Sequence, residues 1–143
     1  MDPSLATRID PDHRQRLAWF EDHQGEVWPF PPPLEGRLRL VARAKGIYKP
    51  AELDHAVSIR INVDSPYADG VPVPADDGGW LLSYHQEGND PVDRDRQYTN
   101  RALMRCIVDQ VPVGVLREVA PDRRRTQYEV LASMIQGVGE VRY

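Results

Sequence analysis

The sequence predicts an α+β domain in which a curved or barrel-like mixed β-sheet is accompanied by about two helices. Several short runs alternate apolar and polar residues, as half-buried strands do. Two longer segments have helical periodicity, and 13 prolines and 10 glycines supply many turns. A chain of 143 residues is long enough for one hydrophobic core.

The first 33 residues are predicted to form a helix and a proline-rich arm. The helix is expected from Pro11 to Gln24, because Asp10 suits the N-cap and a proline suits the first helical position. Residues 28–33 contain consecutive prolines, which remove amide donors and favour an extended spacer. The predicted organisation is therefore residues 1–33 as helix and arm and residues 34–143 as one globular unit.

The globular unit contains the strands and the second helix. A helix is predicted from Thr99 to Gln110, where Ala102, Leu103 and Cys106 fall on one side. The strand at 38–44 is expected to have a basic outer face, and the loop at 64–79 is longer than most connections. The predicted strands are residues 38–44, 56–62, 80–85, 111–119 and 127–131.

Charge is distributed unevenly along the chain. The net charge of -4 argues against a general nucleic-acid coat, which is normally basic. Residues 36–60 nevertheless carry six basic and two acidic side chains, whereas residues 64–95 carry eight acidic side chains and one arginine. Such a chain is able to present one basic and one acidic face. The alternative is a solvated mixture of charges.

Metal and enzyme motifs are not evident. Cys106 is the single cysteine, which is expected to be a small buried residue, and the four histidines have no ligand spacing, so no metal or cofactor is predicted. Residues 53–55 resemble the opening of an HNH nuclease motif without its later residues. The acidic cluster is favoured as a solvated face, because its spacing matches no EF-hand loop, and a divalent cation held by its carboxylates is the remaining enzyme alternative; its members are Asp76, Asp77, Glu87, Asp90, Asp93 and Asp95.

Five blocks between Gly36 and about Val119 resemble the N-terminal domain of HNH-type, modification-dependent restriction endonucleases related to McrA. They cover a little over half of the chain, in order and at plausible spacing. The blocks are Gly46 to Pro50, Leu53 with Ala56 to Arg60, Pro66 to Gly70, Tyr84 with Gly88 to Pro91, and Asn100 to Leu103 followed by Val111 to Val113. Residues 133–143 depart from the strand expected there.

The resemblance implies an SRA-like domain, a curved sheet that binds methylated DNA and takes a modified cytosine into a pocket. It implies a recognition module without catalytic activity of its own. The nuclease domain that follows in such proteins is not found in these 143 residues, so we expect either an excised domain or a stand-alone reader.

A base pocket needs aromatic planes, hydrogen-bonding groups and cations. Tyrosines in the resembling blocks supply rings, a carboxylate accepts from the cytosine amine, and an amide complements the remaining edge. The expected pocket residues are Tyr48, Arg60, Tyr67, Asp69, Tyr84 and Asn100. The alternatives are ordinary packing for each tyrosine, a turn for Asp69 and an ion pair for Arg60.

Contacts to the DNA backbone are expected from two basic segments. The first lies on or just beyond the predicted strand at 38–44, and the second is the turn at 122–125, for which an exposed hairpin tip is the alternative. The expected residues are Arg39, Arg43, Lys45, Lys49, Arg123 and Arg124.

The predicted partner is therefore double-stranded DNA with modified cytosine, with a homodimer as an additional possibility. The alternative function is a protein-interaction or dimerisation domain, which the acidic balance and the aromatic pair Trp28 and Phe30 favour. Without a long apolar run or a signal-peptide pattern, we expect no membrane association and a cytoplasmic location.

Overall fold

A mixed β-sheet organises the fold in a computed structural model that describes residues 3–42, 46–61, 72–76, 78–83, 98–119, 126–137 and 140–143. The helices are α1 Leu5–Arg8, α2 Pro11–Asp22 and α3 Tyr98–Asp109. The strands are β1 Val27–Trp28, β2 Ile47–Tyr48, β3 Ser58–Ile61, β4 Val73–Pro74, β5 Trp80–Ser83, β6 Val113–Val119, β7 Gln127–Gly137 and β8 Glu140–Arg142. The predicted α+β class is confirmed, with two twelve-residue helices and one short helical turn.

The strand order is β2-β3-β6-β7-β8-β5-β4, and β1 pairs with β7 beside this path. The pair β3 and β6 is parallel, whereas the other pairs are antiparallel. The first part of β7 pairs with β6 and its last part with β8, and a register shift lies between Ile135 and Gly137. In the described residues the sheet is open at β2 and β4, so it is not a closed barrel.

Local sequence explains where α2 begins. The Asp10 side chain accepts a hydrogen bond from the Asp12 amide at 3.0 Å, and Pro11 occupies the first turn, as predicted. The helix ends at Asp22, two residues before the predicted end, and the chain then turns at Gly25, whose φ of 85° favours glycine.

Both faces of the central sheet are covered. Alternate β6 residues, Val113 and Val115, join a cluster with Ala102, Leu103 and Cys106 of α3. Leu116, on the other face of β6, belongs to a second cluster. The other members of this cluster are Phe20, Leu40, Val41, Tyr128 and Val130. Two-sided cover explains why β6 is an almost continuous run of buried residues.

The contact of α2 with the sheet depends on a missing side chain. A Cβ atom added at Gly114 would lie 2.3 Å from the Phe20 ring, far closer than van der Waals contact. The ring therefore rests directly on the β6 backbone. The Phe20 side chain is fully buried there.

The predicted strand at 38–44 is wrong for its described part. Leu38 and Leu40 are buried and Arg39 is exposed, as the alternation indicates, but only Leu38 makes an isolated bridge, to Leu34. Side chains from other elements take the carbonyl groups that a neighbouring strand would use. Arg16 Nε donates to the Arg39 carbonyl at 2.9 Å, and Ser58 Oγ donates to the Leu40 carbonyl at 2.6 Å.

Ser58 in β3 is buried, and its Oγ donates to the Leu40 carbonyl. The strand predicted at 127–131 continues to Gly137, and β8 follows, so strand structure extends into residues 133–143.

Among the described helices, none combines the length and apolar character needed to cross a bilayer.

Candidate nucleic-acid interface

The clearest candidate surface is centred on Tyr48, at the edge of the sheet. Tyr48 is half-buried and pairs with Ser58, which in turn pairs with Gly114. The pKa of Tyr48 is raised above its ordinary value, chiefly because burial disfavours the phenolate. The Arg16 guanidinium opposes this rise in pKa, and the Glu52 carboxylate adds to it.

Arg16 contacts Tyr48 and two other segments of the chain, at Arg39 and Glu52. Its guanidinium carbon lies 6.0 Å from the centre of the Tyr48 ring, within cation–π distance. Its Nε donates to the Arg39 carbonyl at 2.9 Å, and its Nη2 lies 3.7 Å from a Glu52 carboxylate oxygen. Arg16 thereby fixes the position of Arg39 relative to Tyr48.

Burial makes Arg16 unusual. The residue is 2% exposed, and its Nη1 has no hydrogen-bond partner in the described part of the chain. A buried cation is costly unless its donors are satisfied. The guanidinium is thus held beneath the surface by one carbonyl, one distant carboxylate and the Tyr48 ring.

A second contact between a cation and an aromatic ring lies next along the chain. Lys49 is half-buried, and its Nζ lies 6.0 Å from the centre of the ring of Tyr98, the first residue of α3. Tyr98 is 45% exposed. Tyr48 thus lies beside Arg16 and Tyr98 beside Lys49, and each pair has the residue types that suit base stacking and phosphate contact.

The other described pocket residues lie in different environments. Arg60 is half-buried and shares a strand face with Ser58, which is two residues earlier, and Ser58 is the neighbour of Tyr48. Asn100 lies in the first turn of α3 and is 3% exposed. The structure thus places Tyr48 beside Arg16, which bonds the Arg39 carbonyl, and Lys49 beside Tyr98, whereas Asn100 is buried in the domain.

The remaining expected residues lie outside the described part of the chain. For the pocket these are Tyr67, Asp69 and Tyr84, and for the backbone contacts Arg43, Lys45, Arg123 and Arg124. All members of the acidic cluster except Asp76, which is exposed, also lie outside it.

No protein-family model, curated protein or solved structure matches this chain.

Sequence reasoning missed a histidine cluster behind the surface. His55 Nε2 lies 2.7 Å from the Asp109 carboxylate, which also accepts from Arg105 Nε at 3.1 Å. The ring of His13 lies 5.7 Å from that of His55. The hydrogen bond with His55 is the main reason why the pKa of Asp109 lies below its ordinary value. The cluster ties the end of α3 to the loop that precedes β3.

His13 is the buried member of this cluster. It is 1% exposed, and its Nε2 has no hydrogen-bond partner in the described residues. Burial, followed by the nearby His55 and Arg16, lowers the pKa of His13 to about 4. His13 is therefore neutral at physiological pH, which avoids a second buried cation beside Arg16.

A signal for this cluster is present in the sequence. The buried residues of α2 are His13, Arg16, Leu17 and Phe20, at the i, i+3, i+4, i+7 spacing of one helical face. Leu17 and Phe20 mark that face as the buried one. Extending this buried face by one turn toward the N-terminus predicts that the polar residues His13 and Arg16 are also buried.

Proposed function

We propose that this chain is an SRA-like recognition module that binds DNA containing 5-methylcytosine or a related modified cytosine. It takes the modified base out of the helix, and it serves a modification-dependent (type IV) restriction system. In this proposal the chain supplies recognition and no catalysis. The observation that carries the proposal is the mutual packing of three blocks that are separate in sequence but share one family resemblance.

Direct hydrogen bonds join these blocks. The Val57 amide donates to the Tyr48 carbonyl at 2.8 Å, and the Gly114 amide donates to the Val57 carbonyl at 2.9 Å. The Ala56 amide donates to the Ala102 carbonyl at 3.3 Å. Residues from the first, second and last blocks therefore form one unit at β2, β3 and α3, and β6 pairs with β3 beside it.

The surface of this unit has the chemistry that the proposal needs. Stacking of a base on an aromatic side chain contributes about 1–3 kcal/mol, which offsets part of the cost of unstacking it from the duplex. Tyr48 and Tyr98 are the described rings that lie beside cations, Arg16 and Lys49 respectively. In the proposal, Tyr67 and Asp69, which follow β3 in the chain, complete the base pocket.

The test compares affinities for matched duplexes by fluorescence anisotropy. One duplex carries 5-methylcytosine at a single CpG site and the other carries cytosine. Burial of one methyl group contributes about 0.8 kcal/mol, so at least about fourfold tighter binding of the methylated duplex is expected. Equal affinity for both duplexes would falsify the proposal.

Two kinds of variant separate recognition from general attraction. Tyr67→Ala and Asp69→Ala are expected to bring the affinity ratio of the two duplexes close to one. Lys49→Ala is expected to weaken binding to both duplexes equally, and to reduce the slope of log affinity against log salt by about 1. A change in ratio with Lys49→Ala would contradict its assignment as a backbone contact.

A protein-interaction role is the second candidate, and one observation favours it. On α3, Val108 is 76% exposed and Met104 is 43% exposed. Exposed apolar residues on one helix suit a dimer contact. Sedimentation that shows a stable oligomer, together with no DNA affinity at low salt, would favour this role over DNA recognition.

A further inference from the structure

The proline-rich arm forms one wall of a cavity beside the Tyr48 surface. The cavity has a volume of about 210 Å³ and is lined by residues 30–33 of the arm and by residues 39–41. We name it the arm cavity. The lining residues are one aromatic residue, three prolines, two aliphatic residues and Arg39. The arm precedes Gly36, so it lies outside the stretch that carries the family resemblance.

The arm side of the cavity is held in place by the body of the domain. Val27 and Trp28 pair with Glu129 and Tyr128 of β7. The Trp28 ring meets the rings of Trp19 and His23 edge-on, each at a centroid distance of 5.4 Å. The prolines that follow restrict the backbone further. The wall is therefore formed before any ligand binds.

The opposite side of the cavity is equally fixed. The Arg39 carbonyl accepts from the buried Arg16, and the Leu40 carbonyl accepts from the buried Ser58. Arg16 also lies against the Tyr48 ring, at 6.0 Å, so the arm cavity is a neighbour of the proposed DNA surface. The Arg39 side chain is exposed, which leaves its guanidinium accessible to a ligand.

We propose that the arm cavity is a second nucleotide site, which takes one base of the bound strand against Phe30 and the prolines and its phosphate at Arg39. Pockets for drug-sized molecules occupy roughly 300–1,000 Å³, so this smaller cavity suits one base and not a dinucleotide. Aromatic rings stack on any base, and a guanidinium matches phosphate geometry. The inference rests on the proposed function only in taking DNA as the ligand.

The test is a titration of the full chain with deoxycytidine monophosphate, followed by NMR shifts of backbone amides. Shifts are expected at Phe30 and at residues 39–41. Deoxycytidine, which lacks the phosphate, is expected to bind about tenfold more weakly, because it loses a charge-assisted hydrogen bond. Arg39→Gln is expected to weaken the monophosphate by a similar factor and to leave deoxycytidine binding unchanged.

Two variants complete the design. Arg37→Gln is the matched control, because Arg37 is also exposed and lies 3.5 Å from Asp12 but does not line the cavity; its titration is expected to match wild type. Phe30→Ala is expected to abolish binding of both nucleotide and nucleoside. The melting temperature of each variant is measured, and Arg39→Gln provides the decisive comparison should Phe30→Ala unfold.

Three results would overturn the inference. They are an absence of shifts at the cavity, equal weakening by Arg37→Gln and Arg39→Gln, and equal shifts with inorganic phosphate alone, which would indicate a simple anion site. The outcome is separable from that of the proposed function. Nucleotide binding at the cavity is measured with free mononucleotides, whereas the proposed function depends on the ratio of affinities for methylated and unmodified duplexes.

Discussion

Acid is expected to destabilise this domain through His13. The pKa of His13 is about 4 in the folded chain and 6.5 in the unfolded chain. Between these values the unfolded state binds more protons, so the free energy of unfolding falls as pH is lowered through 6.5 and stops falling below about 4. The full difference between these two pKa values corresponds to about 3 kcal/mol.

The assay is urea unfolding, followed by fluorescence of the three tryptophans, for wild type and His13→Leu at pH 8 and pH 5. Linkage gives a loss of about 2 kcal/mol at pH 5 relative to pH 8 for His13 alone. Groups that titrate equally in both proteins cancel when the two are compared. The stability of His13→Leu relative to wild type should therefore rise by about 2 kcal/mol on acidification.

An equal stability difference between wild type and His13→Leu at pH 8 and pH 5 would contradict this expectation. It would mean that His13 titrates equally in the folded and unfolded states. The buried position of its ring beside Arg16 and His55 would then not determine its protonation.

Three further predictions concern buried residues. Gly114→Ala should lower the free energy of unfolding by about 1–3 kcal/mol, because the new methyl group would collide with the Phe20 ring; an unchanged melting temperature would show that the ring moves freely. Ser58→Ala should cost about 1–3 kcal/mol in urea unfolding, since the buried Leu40 carbonyl loses its 2.6 Å hydrogen bond, and a neutral effect would contradict that role. Cys106 is 1% exposed, and burial raises the pKa of its thiol to about 12, so Ellman's reagent should react with it at pH 8 only after unfolding; rapid reaction of the native protein would be the opposite result.

Local signals predicted the elements whose structure is determined locally. The N-cap at Asp10 and the apolar face of the second long helix gave both helices to within two residues. Alternation in residues 56–62 gave β3 and the core direction of Ile59 and Ile61. These features depend on neighbours within one or two turns or one strand, so the sequence contains enough information to predict them.

Elements determined by distant partners were predicted less well. Residues 38–42 have the pattern of a strand, yet Arg16 and Ser58, which are 23 residues before Arg39 and 18 residues after Leu40, take its carbonyl groups. The extension of β7 to Gly137 depends on β8, which pairs with its last part. The residues of 38–42 and of β7 do not themselves indicate these distant partners.

In the candidate site, too, residues were predicted from local sequence and contacts between distant segments were not. Tyr48, Arg39 and Lys49 were predicted from residue type and from the resembling blocks; in the structure Arg16 contacts the Tyr48 ring and the Arg39 carbonyl, and Lys49 contacts the Tyr98 ring. Arg16, which organises that group, was missed because a charged residue on a helix is normally solvated. Its burial results from the way α2 packs on the sheet.

We propose above that this chain distinguishes modified from unmodified cytosine in DNA. The most direct measurement is competition at fixed salt, in which a labelled methylated duplex bound to the chain is displaced by an unlabelled duplex of the same sequence. We expect the methylated competitor to displace half of the label at a concentration at least about fourfold lower than the unmodified competitor does. Superimposable displacement curves would contradict it.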